Sequence, residues 1–99
     1  STGFDVAIPD GHVGLVLGRS GLAFNRGIYC THTGTIDADY RGTIAVLLSN
    51  GSAVDFAIRK NDRIAQLVIM PVSRCDIIQS SDLDDTHRGA SGFGSTGLT

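Results

Sequence analysis

Two aspartates two positions apart, Asp37 and Asp39, stand in the run GTIDADYRG, Gly34 to Gly42, followed at once by Tyr40 and Arg41. In an extended chain residues i and i+2 face the same side, which would let the carboxylates serve together as a general base or a metal site. Aspartates in the turn positions of a hairpin tip explain the same residues, and a turn would break the alternation. Tyr40 fits a ligand contact or a strand aromatic over core. Upstream, GRSGLA (Gly18 to Ala23) follows an apolar stretch. Its Arg19, Ser20 and Gly21 offer a guanidinium, a hydroxyl and open backbone N–H groups, a donor set that grips phosphate, although an ordinary turn uses the same tripeptide. In RIAQLV (Arg63 to Val68), Gln66 interrupts an apolar run. A buried amide there must find partners in the core or on a ligand. Near the C-terminus, HRGASGFGSTGLT from His87 to Thr99 joins one arginine, Arg88, and one ring, Phe93, to Gly, Ser and Thr. That composition suits the wrapping of a phosphate while the ring stacks on a base; it also describes a disordered linker with a stray phenylalanine. The Gly-Lys-Ser/Thr ending of a P-loop is missing. His12, His32 and His87 show no ligand spacing, and Cys30 and Cys75 fit no metal or redox spacing, so both read as reduced thiols of an intracellular protein.

The elements that must position these residues read as β-structure. All ten acidic residues are aspartate, Lys60 is the only lysine beside seven arginines, and there are thirteen glycines, so strong helix formers are scarce and turn formers abundant. Alternation and β-branched enrichment predict strands over Phe4 to Ile8, His12 to Leu17, Thr43 to Leu48, Val54 to Ile58, Ile64 to Met70 and Val72 to Ile78. Pro9-Asp10-Gly11 joins the first two, and Ser49-Asn50-Gly51-Ser52 predicts a hairpin from TIAVLL to VDFAI. RSGLAFNRGI is the one place for a helical turn or two. The 99 residues make a single domain, with residues 1–79 as its β-barrel core and 80–99 as a linker and mobile arm. A chain this short buries only about 60 to 65% of its unfolded surface, so oligomerisation is expected. A net charge of −2 argues against tracking a nucleic-acid backbone. No apolar run reaches a membrane span and no signal peptide opens the chain, so a soluble protein of the cytoplasm or nucleus is expected.

Taken in order, GRSGLA, GTIDADYRG, RIAQLV and RGASGFGSTG resemble four of the five motifs of the trimeric deoxyuridine triphosphatases (dUTPases), at similar separations and over nearly the whole chain. The resemblance implies an all-β distorted barrel or jelly roll with a flexible Gly-rich C-terminal arm. It implies hydrolysis of dUTP to dUMP and pyrophosphate, which limits uracil in DNA and supplies dUMP for thymidylate synthesis. Asp37 then activates the water that attacks the α-phosphate, and Tyr40 packs against the deoxyribose, leaving no room for a 2′-hydroxyl. A hairpin from about Thr31 to Asp39, including Gly34, Thr35 and Ile36, reads uracil through backbone groups. Arg19, Ser20 and Gly21 hold the phosphates and Gln66 touches the phosphate chain. Arg63 joins them, though a structural ion pair explains it as well. Arg88 takes the γ-phosphate, Phe93 stacks on uracil, and Gly94, Ser95 and Thr96 close over the phosphates. Mg²⁺ rides on the triphosphate oxygens, its protein contacts unassigned. The resemblance further implies a homotrimer whose sites draw on more than one subunit, the arm reaching a neighbour's pocket.

The family's first motif, Ala-Gly-Tyr-Asp-Leu, has no counterpart at its usual place. TGFDV, Thr2 to Val6, resembles it, but Asp5 stands only fifteen positions before Ser20, so this run is expected to be the strand leading to GRSG. The sequence then reads as a fragment, or as a protein that has shed the segment and become a catalytically impaired nucleotide-binding or regulatory module. The dCTP deaminases share the fold, but IDADYRG and the arm favour the hydrolase.

Overall fold

The computed structural model describes residues 1–32, 34–94 and 97. Along the chain these form β1 (His12–Gly18), α1 (Ser20–Arg26), β2 (Ile28–Cys30), β3 (Gly34–Ile36), β4 (Leu48–Asn50) and β5 (Ala65–Pro71). The run HVGLVLG becomes β1 because its side chains alternate, burying Gly14 and Val16 on one face. β5 pairs antiparallel along its full length, from His12 opposite Pro71 to Gly18 opposite Ala65. β3 takes the other edge, with Gly14 opposite Ile36 and Val16 opposite Gly34. A Cβ at Gly14 would meet Ile8, Ile36 and Leu67 at 3.2–3.3 Å, so glycine lets the strands and Ile8 close on the centre of the sheet. Ile8, Val16, Ile36 and Ile44 form the core, with Val6, Val46 and Ala65 packed against it.

The helical turns expected in RSGLAFNRGI form as α1. Gly27 ends the helix with φ 68°, and its N–H reaches the carbonyls of Ala23 and Leu22, a left-handed cap that glycine adopts without strain. The Gly27 carbonyl accepts the Gly51 N–H at 2.9 Å, fastening the helix end to the two-stranded sheet of β2 and β4.

Several expected elements differ. Phe4 to Ile8 and Thr43 to Leu48 come together antiparallel, but as one bridge, Asp5 to Thr43, flanked by hydrogen bonds between Ile44 and both Thr2 and Phe4. Val54 to Ile58 and Val72 to Ile78 form no strand. The hairpin expected across Ser49 to Ser52 is replaced: Leu48–Asn50 pairs with β2, and Asn50 and Ser52 hold the Val54 carbonyl through their side chains. β-branched residues favour a strand only where a pleated surface is there to receive them, and this chain offers those two segments none. Among the described residues the sheets stay open rather than closing into a barrel. The molecule is a slab of 54 × 39 × 16 Å with a radius of gyration of 19.1 Å, against about 13 Å for a compact domain of this length. Ile77 is 99% exposed and Phe4 71%, so much apolar surface finds no cover within the chain.

Candidate functional site

The end of β1 builds a polar cradle. Beyond Gly18 the backbone stays extended through Arg19 and then coils at Ser20, so a guanidinium, a hydroxyl and the first-turn amides of α1, which have no intrahelical partners, emerge together. The β1–β5 register sets Gln66 opposite Leu17, and its amide Nε2 donates to the Gly18 carbonyl at 2.9 Å. Gln66 is exposed, so it is no core amide, and a second N–H remains on the same nitrogen. Arg19 Nη1 donates to the Arg63 carbonyl at 3.1 Å, which places the guanidinium at the strand end. Arg63 thus meets Arg19 through its backbone. Arg19, Ser20 and Gln66 line a cavity of about 370 Å³ whose far wall is Tyr29 and Cys30. The sequence reading missed those two, because nothing local shows that β2 returns beside α1. No acidic residue lines this cavity, and Asp62, just before Arg63, accepts the Arg59 N–H at 2.8 Å.

The acidic residues occupy a turn. The Tyr40 N–H donates to the Asp37 carbonyl at 3.1 Å, which ends the strand alternation that would have aligned Asp37 with Asp39. Arg41 pins the turn, with Nη1 donating to the Ala38 carbonyl at 2.7 Å and the Tyr40 carbonyl at 3.0 Å. Its part went unseen in the sequence, though it sits inside the quoted motif. Tyr40 is half exposed, its hydroxyl donating to the Thr43 carbonyl at 2.9 Å, so it does not cover core. Asp37 and Asp39, both exposed, line a separate cavity of about 420 Å³ with His12 and Arg74. The hairpin expected over Thr31 to Asp39 is not a mutual pairing: among the described residues β2 pairs with β4, and β3 with β1. Of β3, Thr35 is exposed, while the Ile36 side chain is spent in the core, leaving only its backbone for a ligand.

Cradle and turn lie at opposite ends of β1. Ile36 pairs with Gly14, so Asp37 begins its turn beside Val13, and six further residues of extended chain to Arg19 amount to about 20 Å. The two groups therefore cannot meet on one phosphate within one chain. The arm's described residues join neither: Arg88 Nε turns back onto the Ser91 carbonyl at 2.7 Å, and Phe93 is fully exposed. Gly94 is described and exposed, whereas Ser95 and Thr96 lie outside the described residues. Among the described residues no three His, Cys or Asp side chains converge as metal ligands, and no helix is long and apolar enough to cross a membrane. The Asp5 carboxylate is engaged by the Thr43 hydroxyl at 2.7 Å.

An antiparallel all-β chain with an Arg-Ser helix start at one end of its central strand and an acidic turn at the other has the jelly-roll architecture of solved dUTPases. It superposes on a mutant dUTPase of Staphylococcus bacteriophage 80alpha solved with dUpNHpp with a TM-score of 0.82 and 29% identity, covering 95% of this chain and 72% of that one. A second solved neighbour is a mutant dUTPase from phage phi11 of S. aureus, described for the coordination of a structural Mg(II) ion (TM-score 0.67, 28% identity, 79% of this chain and 67% of that one). The dUTPase family model matches residues 1–97, and the chain belongs to that family. It is 55% identical over 97 residues to the deoxyuridine 5'-triphosphate nucleotidohydrolase of Rhizobium meliloti (strain 1021), covering 97% of this chain and 61% of the relative. It is 51% identical over 98 residues to the enzyme of the same name from Zymomonas mobilis, covering 98% and 67%. The chain thus spans about three fifths of the length of the first of these relatives.

Proposed function

We propose that the protein hydrolyses dUTP to dUMP and pyrophosphate as a homotrimer inside the cell, limiting uracil in DNA and supplying dUMP for thymidylate synthesis. The observation that carries this reading is the separation along β1, because a phosphate cradle and a carboxylate turn that cannot meet within one chain become one site where two copies adjoin. In that site the Asp37 carboxylate takes a proton from water, the resulting hydroxide attacks the α-phosphorus, and the bond to the bridging oxygen breaks as pyrophosphate leaves. Arg19 and Ser20 meet the oxygens on which charge gathers, and the second N–H of Gln66 reaches the phosphate chain. Tyr40 lies against the deoxyribose, and the backbone of Gly34, Thr35 and Ile36 reads the base. The arm brings Arg88, Phe93, Gly94, Ser95 and Thr96 over a neighbour's nucleotide and shuts out water. When bound, Mg²⁺ would come with the substrate and would help offset the charge of its triphosphate.

The test is pyrophosphate release from dUTP beside dTTP, dCTP and UTP, with and without Mg²⁺. Mg²⁺-dependent release from dUTP alone is the expected result. Binding of dUTP without turnover would leave a nucleotide-binding or regulatory module, and deamination of dCTP would move the chain to the deaminases that share the fold.

A further inference from the structure

Tyr40 reaches its hydrogen-bond acceptor by crossing the backbone two residues ahead. A Cβ built on Gly42 would lie 2.5 Å from Tyr40 Cζ and 2.9 Å from Cε1, and nearer still to the hydroxyl oxygen. No side chain can share that space with the ring. Gly42 is not among the residues with positive φ, so the backbone does not demand glycine here; the ring does. The far end of the seat is Thr43, whose carbonyl accepts the tyrosine hydroxyl at 2.9 Å. Thr43 is itself anchored, through its hydroxyl on Asp5 at 2.7 Å and the bridge between the same two residues.

We infer that Gly42 is a specificity-determining positioning residue: by lacking a Cβ it seats the Tyr40 ring where it discriminates against the ribose 2′-hydroxyl. This rests on the reading of Tyr40 as the residue beside the sugar. The turn that presents Asp37 does not depend on Gly42, because it is held by the Tyr40 N–H on the Asp37 carbonyl and by Arg41 on the Ala38 and Tyr40 carbonyls. A side chain at position 42 therefore moves the ring and leaves the general base in place.

The experiment compares Gly42→Ala, Tyr40→Ala and the double variant in the intact protein, by steady-state kinetics on dUTP and UTP and by thermal melting. For Gly42→Ala the preference for dUTP over UTP should fall about tenfold and KM for dUTP rise by a similar factor, with kcat held within about threefold. It should also melt below the parent. In the Tyr40→Ala background the same alanine should change neither selectivity nor Tm, since the ring it displaces is gone. Unchanged selectivity in Gly42→Ala overturns the inference, as does an equal further loss in the double variant. If Gly42→Ala does not fold, a double variant melting with Tyr40→Ala supports the inference, and one that also fails to fold overturns it. Should Tyr40→Ala retain full selectivity, the sugar-side reading of Tyr40 fails and the specificity role falls with it. The melting comparison needs no substrate and still decides whether Gly42 seats the ring.

Discussion

Two inactive variants should make an active mixture. Asp37→Asn removes the base, an effect on the order of 10² to 10⁴ in kcat. Arg19→Ala removes a charge-assisted grip on the phosphates, on the order of 10²-fold. Each variant alone should be nearly dead. If Asp37 and Arg19 serve one site, as proposed, the roughly 20 Å between them along β1 requires that the two come from different copies. If the variants are unfolded together in equal amounts and refolded, each site draws its Asp37 and its Arg19 independently from the pool. About one site in four then holds both native residues, so activity should recover to about a quarter of the parent per site. Variants refolded separately and mixed afterwards are the control and should recover little. The assay is pyrophosphate release, with trimer assembly followed by sedimentation. If the co-refolded mixture assembles as trimers yet stays at the summed activity of the parts, the two groups work within one chain, and the reasoning from β1 is wrong.

Asp37→Asn alone should bind dUpNHpp within about threefold of the parent by calorimetry, since it takes away a base and little of the phosphate grip. Deleting Arg88 to Thr99 should lower kcat/KM for dUTP at least about a hundredfold while the sedimented mass still corresponds to a trimer, because the arm's described residues pack on neither cavity. Ile36→Ala should cost about 2 to 4 kcal/mol in urea unfolding, because Ile36 is a member of the core beneath the Asp37 turn.

Where β-structure is complete within the chain, the sequence shows it. HVGLVLG and the apolar run to Met70 carry their own alternation or β-branched content, and the helix falls within RSGLAFNRGI, the one stretch the sequence left for a helical turn or two. Val54 to Ile58 and Val72 to Ile78 look as strand-like on paper and are not strands, because propensity says nothing about whether a neighbour exists to pair with. The Ser49 to Ser52 turn shows the same limit: its chemistry suits a hairpin, yet the Gly27 carbonyl, distant in sequence, captures the Gly51 N–H. At the site the residue types were legible as donors and bases from their motifs. Their partners were not, since the bond from Gln66 to Gly18 depends on a register that only the assembled sheet sets. For Asp37 and Asp39 the sequence left a same-face pair and a turn open, and the Tyr40 N–H on the Asp37 carbonyl decides for the turn.

β1 also limits how this protein can change over evolutionary time. With both ends committed, its length is inherited as a fixed spacer: one residue inserted between Val13 and Val16 would turn Val16 out of the core and shift Arg19 by about 3.3 Å against the Asp37 turn. A single codon would then break the spacing between the proposed cradle and the Asp37 turn. Insertions and deletions have their natural home between Gly51 and Arg63, where no strand ladder runs and where Asp62 closes its own small turn on Arg59.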